Sequence, residues 1–525
     1  MKVLVLDNVS EKAVAILRAQ GITAEVSPTL PEDELVAKIP DYDGVIVRSQ
    51  TKVNARVIEA ATNLKVIGRA GVGVDNVDLE AATNKGVIVL NAPDGNTIST
   101  AEHTIGMIMA LARKIPQAHS TIKAGQWDRK SFTGVEVNGK NLGIVGMGRI
   151  GTEVAKRMQA MGMTILAFDP FLTEERATKL GVRLVTLSEL LTESDFITVH
   201  TPLTKETKGL LNAETLKQTK AGVRIINCAR GGIVEEEALA DAIEAGHVAG
   251  AALDVYTAEP PTNERLINLP QVVATPHLGA STAEAQVNVA IDVAEEMAKV
   301  LKDEPFKNAV NVPSVRPEVM KILSPYFPLA EKLGSLISQL TIGRLQRVEI
   351  EYSGELTDYD LSPLTTLVVE GLLKLVLNGE VNLVNARVLA KQRGLKISER
   401  KEPTDQDYNN KIRVKALSDQ GEHAVAGTFF RQNDQRMVEI DGYHFEVVPD
   451  GHLLIASHKD EPGIIGQVGT ILGAAGINIA YMQVGRKEAG GLAIMVLTVD
   501  QEIPAPVLDQ IKEVKGIDQP VQVFL

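Results

Sequence analysis

The chain has 525 residues, which at roughly 100–200 residues per domain implies three to four domains. Hydrophobic residues make up 44% and aromatic residues only 4%, so Val, Ile, Leu and Ala must fill the cores, a bias that suits parallel sheets covered by helices. The net charge of −13 argues against general binding to a nucleic-acid backbone. The single cysteine, Cys228, excludes an internal disulfide and fits a reducing, cytoplasmic setting.

The opening "MKVLVLDNVS" carries a short apolar run ending at Asp7, too short for a signal peptide and read as a first strand. No apolar run along the chain is long enough for a transmembrane helix, so no membrane partner is expected. "SEKAVAILRAQG" follows as a helix with Ser10 as N-cap and Gly21 at its end. "GVIVRS", "LKVIGRA" and "GVIVLNAP" are further strands, each leaving a helical stretch, which predicts a parallel sheet. A long apolar helix, "TAEHTIGMIMALARKI", precedes a loop, "GQWDRKSFTGVEVNGK". Six more apolar strands alternate with helices: "NLGIVGM", "TILAFDP", "FITVHTP", "RIINCARGG", "AGAALDVY" and "VVATPHLG", a second, doubly wound sheet. Another long helix spans 282–302, and "NAVNVPSVRPE" closes this part.

From about 317 the texture changes. "ILSPYFPLAEKLGSLISQL" is helical, "RVEIEYSGEL" is a strand, and the polar stretch 399–410 reads as a loop. "IRVKAL", "HAVAGTFF" and "RMVEIDGYHFEVVP" look antiparallel, with Asp441-Gly442 as a hairpin turn. Residues 452–525 follow βαββαβ order, a ferredoxin-like unit.

The strand "NLGIVG" runs into Gly146-x-Gly148-x-x-Gly151, and a helix leaves it. Gly146 permits the tight turn, Gly148 lets backbone approach a pyrophosphate, and Gly151 allows close helix–strand packing. The helix N-terminus turns free N–H groups toward the anion. Asp169 ends the next strand, where a carboxylate binds ribose hydroxyls and repels a 2′-phosphate, favouring NAD over NADP. Arg149 is the residue that could weaken that preference. The alternative is a glycine turn that holds no ligand.

Three polar residues follow successive strands of this sheet: Arg230, Glu259 and His277. Ligands bind beyond strand C-termini in such sheets, so the three converge on the nicotinamide side. Oxidising a secondary alcohol needs a base, and His serves near neutral pH. A carboxylate orients the imidazole, and Arg grips a substrate carboxylate in a two-pronged fork. Taken singly, each also has an ordinary structural explanation: a core histidine, a solvated turn, a helix-capping arginine. No metal site is expected.

The stretches "GIVGMGRIG", "VHTPLT", "INCARGGIVEEEAL", "ALDVYTAEPP" and "ATPHLGAST" resemble the D-isomer-specific 2-hydroxyacid dehydrogenases. "VRSQTKV", "IGRAGVGVDNVD" and "NAPDGNTISTAEH" resemble the long-type members that act on 3-phosphoglycerate. The resemblance implies His277 as acid/base, Glu259 as its partner and Arg230 as carboxylate binder. It implies NAD contacts from Val72, Arg149, Ile150, Asp169, Thr201, Cys228, Ala229, Asp254, Gly279 and Ala280, beside the three turn glycines. It implies substrate contacts from Arg48, Ser49, Arg69 and Asn96; the alternative for the two arginines is an ordinary exposed surface.

It also implies two Rossmann-like parallel-sheet domains: a discontinuous substrate domain, 1–97 and 286–315, and an inserted NAD-binding domain, 98–285. The long helices at 99–114 and 282–301 would form the hinge. An α+β intervening domain, 316–451, and an ACT domain, 452–525, would complete the chain. Asp460 and Asn478 match positions where ACT domains hold an amino acid, here L-serine, although Asp460 also suits an N-cap. ACT pairing implies a homodimer or homotetramer. The expected activity is NAD-dependent oxidation of 3-phospho-D-glycerate in serine biosynthesis. The alternatives are a dehydrogenase of another D-2-hydroxy acid and a non-catalytic NAD-sensing protein.

Overall fold

The computed structural model describes residues 1–525 except 314, 316, 378–380, 406 and 431–433. Ser314 and Arg316 of the stretch closing the dehydrogenase part, and Gln406 of the expected 399–410 loop, therefore lie outside the described residues. The first sheet is parallel and five-stranded, in the order Thr23–Val26, Lys2–Val5, Gly44–Val47, Val66–Arg69, Ile88–Leu90. Its central strands are apolar on both faces because helices cover both. The edge strand Thr23–Val26 was not expected; it is short, half-polar and largely exposed, so it carries no clear apolar period. The late helix Ala283–Leu301 packs back on this sheet, and Val289, Val293 and Met297 share a core with Val3, Val5 and Ile46. Gly68 makes that contact close: a Cβ there would lie 2.4 Å from Val293 Cγ1.

The second sheet is parallel and seven-stranded. Its order is Val272–Ala274, Val248–Leu253, Val223–Asn227, Phe196–Val199, Asn141–Val145, Thr164–Phe168, Arg183–Leu184. All six expected strands are present; the seventh, Arg183–Leu184, is a two-residue edge too short to read from sequence. The order reverses beside Asn141–Val145, the strand that feeds the glycine turn, which is where such sheets open a ligand crevice. The helix Thr97–Arg113 stops earlier than expected, at Lys114 with φ 50°. A second helix, Ile115–Lys123, with Pro116 in its first turn, follows at once; it was not expected and buries none of its residues.

The third sheet has six strands, in the order Lys396–Glu402, Leu345–Gly354, Asn410–Ser418, Glu422–Phe429, Gln435–Ile440, Tyr443–Val447. Residues 399–402, expected in a loop, belong to its edge strand, paired parallel to Leu345–Gly354. Charged residues are common on sheet edges, where they discourage further pairing, and here they hid the strand. The Asp441-Gly442 turn is as expected, with φ 50° and 76°. The fourth sheet has the order Ile479–Arg486, Leu492–Val499, His452–Lys459, Ile517–Phe524. Helices Ile464–Ala474 and Ala505–Lys512 cover one face. Leu453, Ile455, Ile494, Val496 and Val523 on the other face join Leu329 and Leu333 of helix Phe327–Leu340, so the last two sheets share one core.

Helix Phe327–Leu340 packs on Ser362–Lys374 through glycines; a Cβ on Gly334 would lie 2.0 Å from Val368 O. Beside this contact, Glu370 Oε2 is buried without a hydrogen-bond partner. Burial, then the charge of Glu331, push the Glu370 carboxyl up to about 7, with Lys374 opposing. The folded state therefore holds a proton that the unfolded chain, at 4.5, gives up. Stability on this account falls as pH rises from 4.5 to about 7. Glu370→Gln is expected to stabilise the chain by roughly 1–3 kcal/mol at about pH 8 and by little at about pH 4, read as thermal unfolding midpoints.

Candidate active site

The site is built from loops that leave the C-terminal ends of the first two sheets. His277 follows Val272–Ala274 in the left-handed region, φ 55°, and its N–H donates to Asp254 O at 2.9 Å. Its Nδ1 lies 2.8 Å from Glu259 Oε2. A carboxylate only accepts, so Nδ1 carries the proton and Nε2 is left as a base. Glu259 is held in turn: its Oε1 accepts from Tyr256 N at 3.2 Å, and Tyr256 Oη donates to Leu253 O and Thr275 O, both at 3.1 Å. Both members of the pair are partly exposed, as groups that meet a substrate must be.

Arg230 leaves Val223–Asn227 through a loop fastened by Asn227, whose amide accepts from Ala229 N at 3.0 Å and donates to Arg230 O at 2.9 Å. Gly231 is required there, because a Cβ would lie 1.9 Å from Tyr256 O. Arg230 reaches across to the first sheet, where Asp75 Oδ2 is 3.7 Å from its Nε. Arg69 lies nearby, at the end of Val66–Arg69, with its Nε buried and without a partner. Burial first, then the charges of Arg230 and Arg48, hold the Arg69 guanidinium below its usual range, with Asp75 and Asp7 opposing. Arg48, half-buried, and Ser49, exposed, follow Gly44–Val47. Asn96 precedes the helix Thr97–Arg113, its Oδ1 buried and unpartnered. Three guanidinium groups thus lie close enough to act on one another, a surplus of positive charge that suits a small substrate bearing two anionic groups.

The glycine turn opens the helix Arg149–Ala160. Gly146 has φ 95°, and a Cβ on Gly151 would lie 2.1 Å from Gly146 O. A Cβ on Gly148 would meet nothing within 4 Å, so the space before the helix is open. Asp169 accepts from Met147 N and Phe171 N, each at 2.8 Å. Asp254 is wholly buried and accepts from Thr275 Oγ1 at 2.6 Å, Leu278 N at 2.7 Å and Gly279 N at 2.8 Å, with His103 Nε2 at 3.2 Å. Burial pushes its carboxyl up, but these hydrogen bonds outweigh it and hold the pKa low.

Comparison with known proteins decides the family. A model described as the NAD binding domain of D-isomer specific 2-hydroxyacid dehydrogenase matches residues 105–279. The D-3-phosphoglycerate dehydrogenase intervening domain matches 322–441, and the ACT domain 452–516. The chain is 47% identical over 517 residues to D-3-phosphoglycerate dehydrogenase of Synechocystis sp., covering 98% of this chain and 93% of that one. It is 48% identical to the Bacillus subtilis protein of the same name, covering 98% of each. Among solved structures, the TT0316 protein from Thermus thermophilus matches with a TM-score of 0.55 and 37% identity, over 59% of this chain and all of that one. D-lactate dehydrogenase from Escherichia coli matches with 0.53 and 30%, over the same 59% and all of its own chain.

The chain belongs to the D-3-phosphoglycerate dehydrogenase family. It is an NAD-dependent 2-hydroxyacid dehydrogenase with an ACT domain. The open space at Gly148, in front of a twelve-residue helix, fits the family's NAD. Of the other residues expected to contact NAD, most follow strands of the second sheet, while Val72 follows Val66–Arg69 of the first. Thr201 follows Phe196–Val199 with its Oγ1 buried and unpartnered. Ala229 and Gly279 have their N–H groups tied to Asn227 and Asp254, while Ala280 O accepts from Thr282 N. Ile150 is half-buried in the first turn of the helix, and Val72 O accepts from Asn91 Nδ2 at 2.6 Å. Cys228 is buried, and burial pushes its thiol up to about 12, so it is inert as a nucleophile.

Arg149 pairs with Asp94 of the first sheet's last loop rather than standing free. An exposed pair of this kind is worth roughly 0.2–1 kcal/mol. Asp94→Asn is therefore expected to raise kcat/KM for NADP by about two- to five-fold through the released arginine and to leave NAD nearly unchanged, compared by steady-state assay. The ACT residues do not come together within the chain. Asp460 accepts from Arg486 Nη1 at 3.0 Å and Gly490 N at 3.2 Å, whereas Asn478 donates to Asp500 at 2.8 Å. Asp460 is not a helix cap either; Gly463 holds that position without a side-chain bond. Sequence reading missed Asp75, Asp94 and His103, and the bonds that Asp7 and Asn76 make to the Arg48 loop. Asp7 lies just past a strand end, the one signal that could have found it. No described helix is long and apolar enough to cross a membrane, and no described cluster of His, Cys, Asp or Glu could hold a metal.

Proposed function

We propose that the chain oxidises 3-phospho-D-glycerate to 3-phosphohydroxypyruvate, the first step of L-serine biosynthesis, at the cleft between the first two sheets. The reading is supported by the closeness of Arg48, Arg69 and Arg230 to one another and by the 2.8 Å contact of His277 with Glu259. Arg230 grips the substrate carboxylate and polarises the neighbouring C2, while Arg48 and Arg69, with Ser49 and Asn96, take the phosphate end. His277 Nε2 removes the C2 hydroxyl proton as the C2–H bond breaks. Glu259 orients the ring through Nδ1 and stabilises the imidazolium that forms. Gly146, Gly148, Gly151 and the first turn of Arg149–Ala160 would hold the pyrophosphate of NAD and Asp169 its ribose, and the cofactor would supply the hydride acceptor for C2.

Residues 1–97 and 286–315 act as the substrate domain and 98–285 as the NAD domain. The helices Thr97–Arg113 and Ala283–Leu301 serve as the hinge, their starts joined by the Ser99–Thr282 hydroxyl contact of 2.7 Å. Closure about it excludes water from the reacting atoms. Residues 316–451 and 452–525 form the regulatory half, with L-serine as effector near Asp460 and Asn478. Since those two residues have separate partners in one chain, an effector that needs both is held between copies, in a cytoplasmic homodimer or homotetramer.

A panel of 2-hydroxy acids assayed for NADH formation, with and without L-serine, tests this. 3-Phosphoglycerate should be the best substrate and serine should inhibit. Faster turnover of an unphosphorylated acid would reject the substrate, and indifference to serine would reject the effector.

A further inference from the structure

The segment from Arg48 to Thr51 carries two of the substrate contacts proposed above, Arg48 and Ser49, and it is gripped on both sides. On one side is Asp7, at the end of the first strand and almost wholly buried. Its Oδ2 accepts from Arg48 N at 2.8 Å and Thr51 N at 3.0 Å. Its Oδ1 accepts from Thr51 Oγ1 at 2.6 Å and Thr29 Oγ1 at 2.8 Å. On the other side Asn76 Nδ2 donates to Arg48 O at 2.7 Å and Thr51 O at 2.6 Å. At both ends of the segment, Arg48 and Thr51, the N–H is thus bound to a carboxylate and the carbonyl to an amide, while Arg48 forms no ion pair among the described residues.

A buried carboxylate is costly unless fully hydrogen-bonded, and a fold that only needed a turn here could use an uncharged residue. Asp7 and Asn8 also stand in the left-handed region, at φ 60° and 52°, which turns the chain sharply at the end of the strand and which Asp and Asn tolerate better than other non-glycine residues. Burial pushes the Asp7 carboxyl up, yet the bonds from Thr51, Thr29 and Arg48 outweigh it and keep the pKa below the ordinary value, so the group stays ionised. Its charge supports the positive charge of Arg69. A cavity of about 290 Å³ in front of the segment is lined by Asn8, Ser10, Arg48 and, from the late helix, Gln286. Asp254 does the same work in the second sheet: a buried carboxylate past a strand end that binds the N–H groups beside His277.

We propose that Asp7, backed by Asn76, is a positioning residue for the phosphate end of the substrate: it acts through Arg48 and touches no substrate itself. This rests on the proposed role of Arg48. Asp7→Asn keeps the size of the side chain but replaces the charge-assisted bonds to Arg48 N and Thr51 N with weaker neutral ones, so it loosens the hold on the segment.

The test compares Asp7→Asn, Arg48→Ala and the double variant in the full-length chain. The expected result is a rise in KM for 3-phosphoglycerate of about ten-fold in Asp7→Asn, with kcat and NAD affinity nearly unchanged and a smaller change for unphosphorylated glycerate. In the Arg48→Ala background the same substitution should change KM no further. Additive effects in the double variant, or a lowered unfolding midpoint with KM unchanged, would overturn the proposal. Should Asp7→Asn not fold, Asn76→Ala on the opposite side of the segment is measured in the same cycle and judged by the same outcomes. If Arg48→Ala itself weakens both substrates equally, the assignment of Arg48 to phosphate has failed rather than the link to Asp7.

Discussion

Replacing His277 with glutamine is expected to lower kcat by about 10²- to 10⁴-fold, the range spanned by positioned general bases. Glutamine can still donate to Glu259 from its amide, so the local hydrogen bond of 2.8 Å has a substitute. It cannot accept the hydroxyl proton in the transition state. The loss should fall on kcat, with NAD affinity retained, because His277 lies at the reacting end of the crevice and the glycine turn lies several strands away in the sheet order. Stopped-flow measurement of the first turnover separates chemistry from product release. A variant that turns over within a few-fold of wild type would remove His277 from the proton step.

Replacing Arg230 with alanine is expected to lower kcat/KM by about 10²- to 10³-fold, since it leaves a desolvated substrate carboxylate without its charged partner. Asp75 stands 3.7 Å from this guanidinium, beyond hydrogen-bond length, and is itself largely exposed. A bidentate substrate carboxylate therefore displaces it readily. Arg230→Lys should recover only part of the loss, because an ammonium has one point of contact where the guanidinium fork has two. Steady-state kinetics on the two variants, with kcat and KM resolved, decides between a binding and a purely structural role. Equal activity in lysine and wild type would argue that no two-pronged contact is made.

The parts legible in the sequence are those whose physics is local. Buried parallel strands announce themselves as apolar runs, the glycine turn by spacing, and the Asp441-Gly442 hairpin by two residues that tolerate positive φ. The strand-end rule placed Arg230, Glu259 and His277 past strands of one sheet from three separate stretches, and His277 and Glu259 meet at 2.8 Å. What stayed hidden depends on the second partner. Thr23–Val26, Arg183–Leu184 and Lys396–Glu402 are edges, defined by a neighbour rather than by a pattern of their own. The helix Ile115–Lys123 is separated from its predecessor by one left-handed lysine, which no composition signals. The pairs Asp75–Arg230 and Asp94–Arg149 join residues far apart in sequence across two sheets. Asp7 looks like the polar end of a strand until the segment it binds has been folded over it.

The most direct measurement is the ratio of kcat/KM for 3-phospho-D-glycerate to that for D-glycerate with NAD. An arginine cluster that reads both a carboxylate and a phosphate predicts a ratio of at least about 10² in the wild type, collapsing toward unity in Arg48→Ala. A wild-type ratio near one, or a ratio untouched by Arg48→Ala, would contradict it.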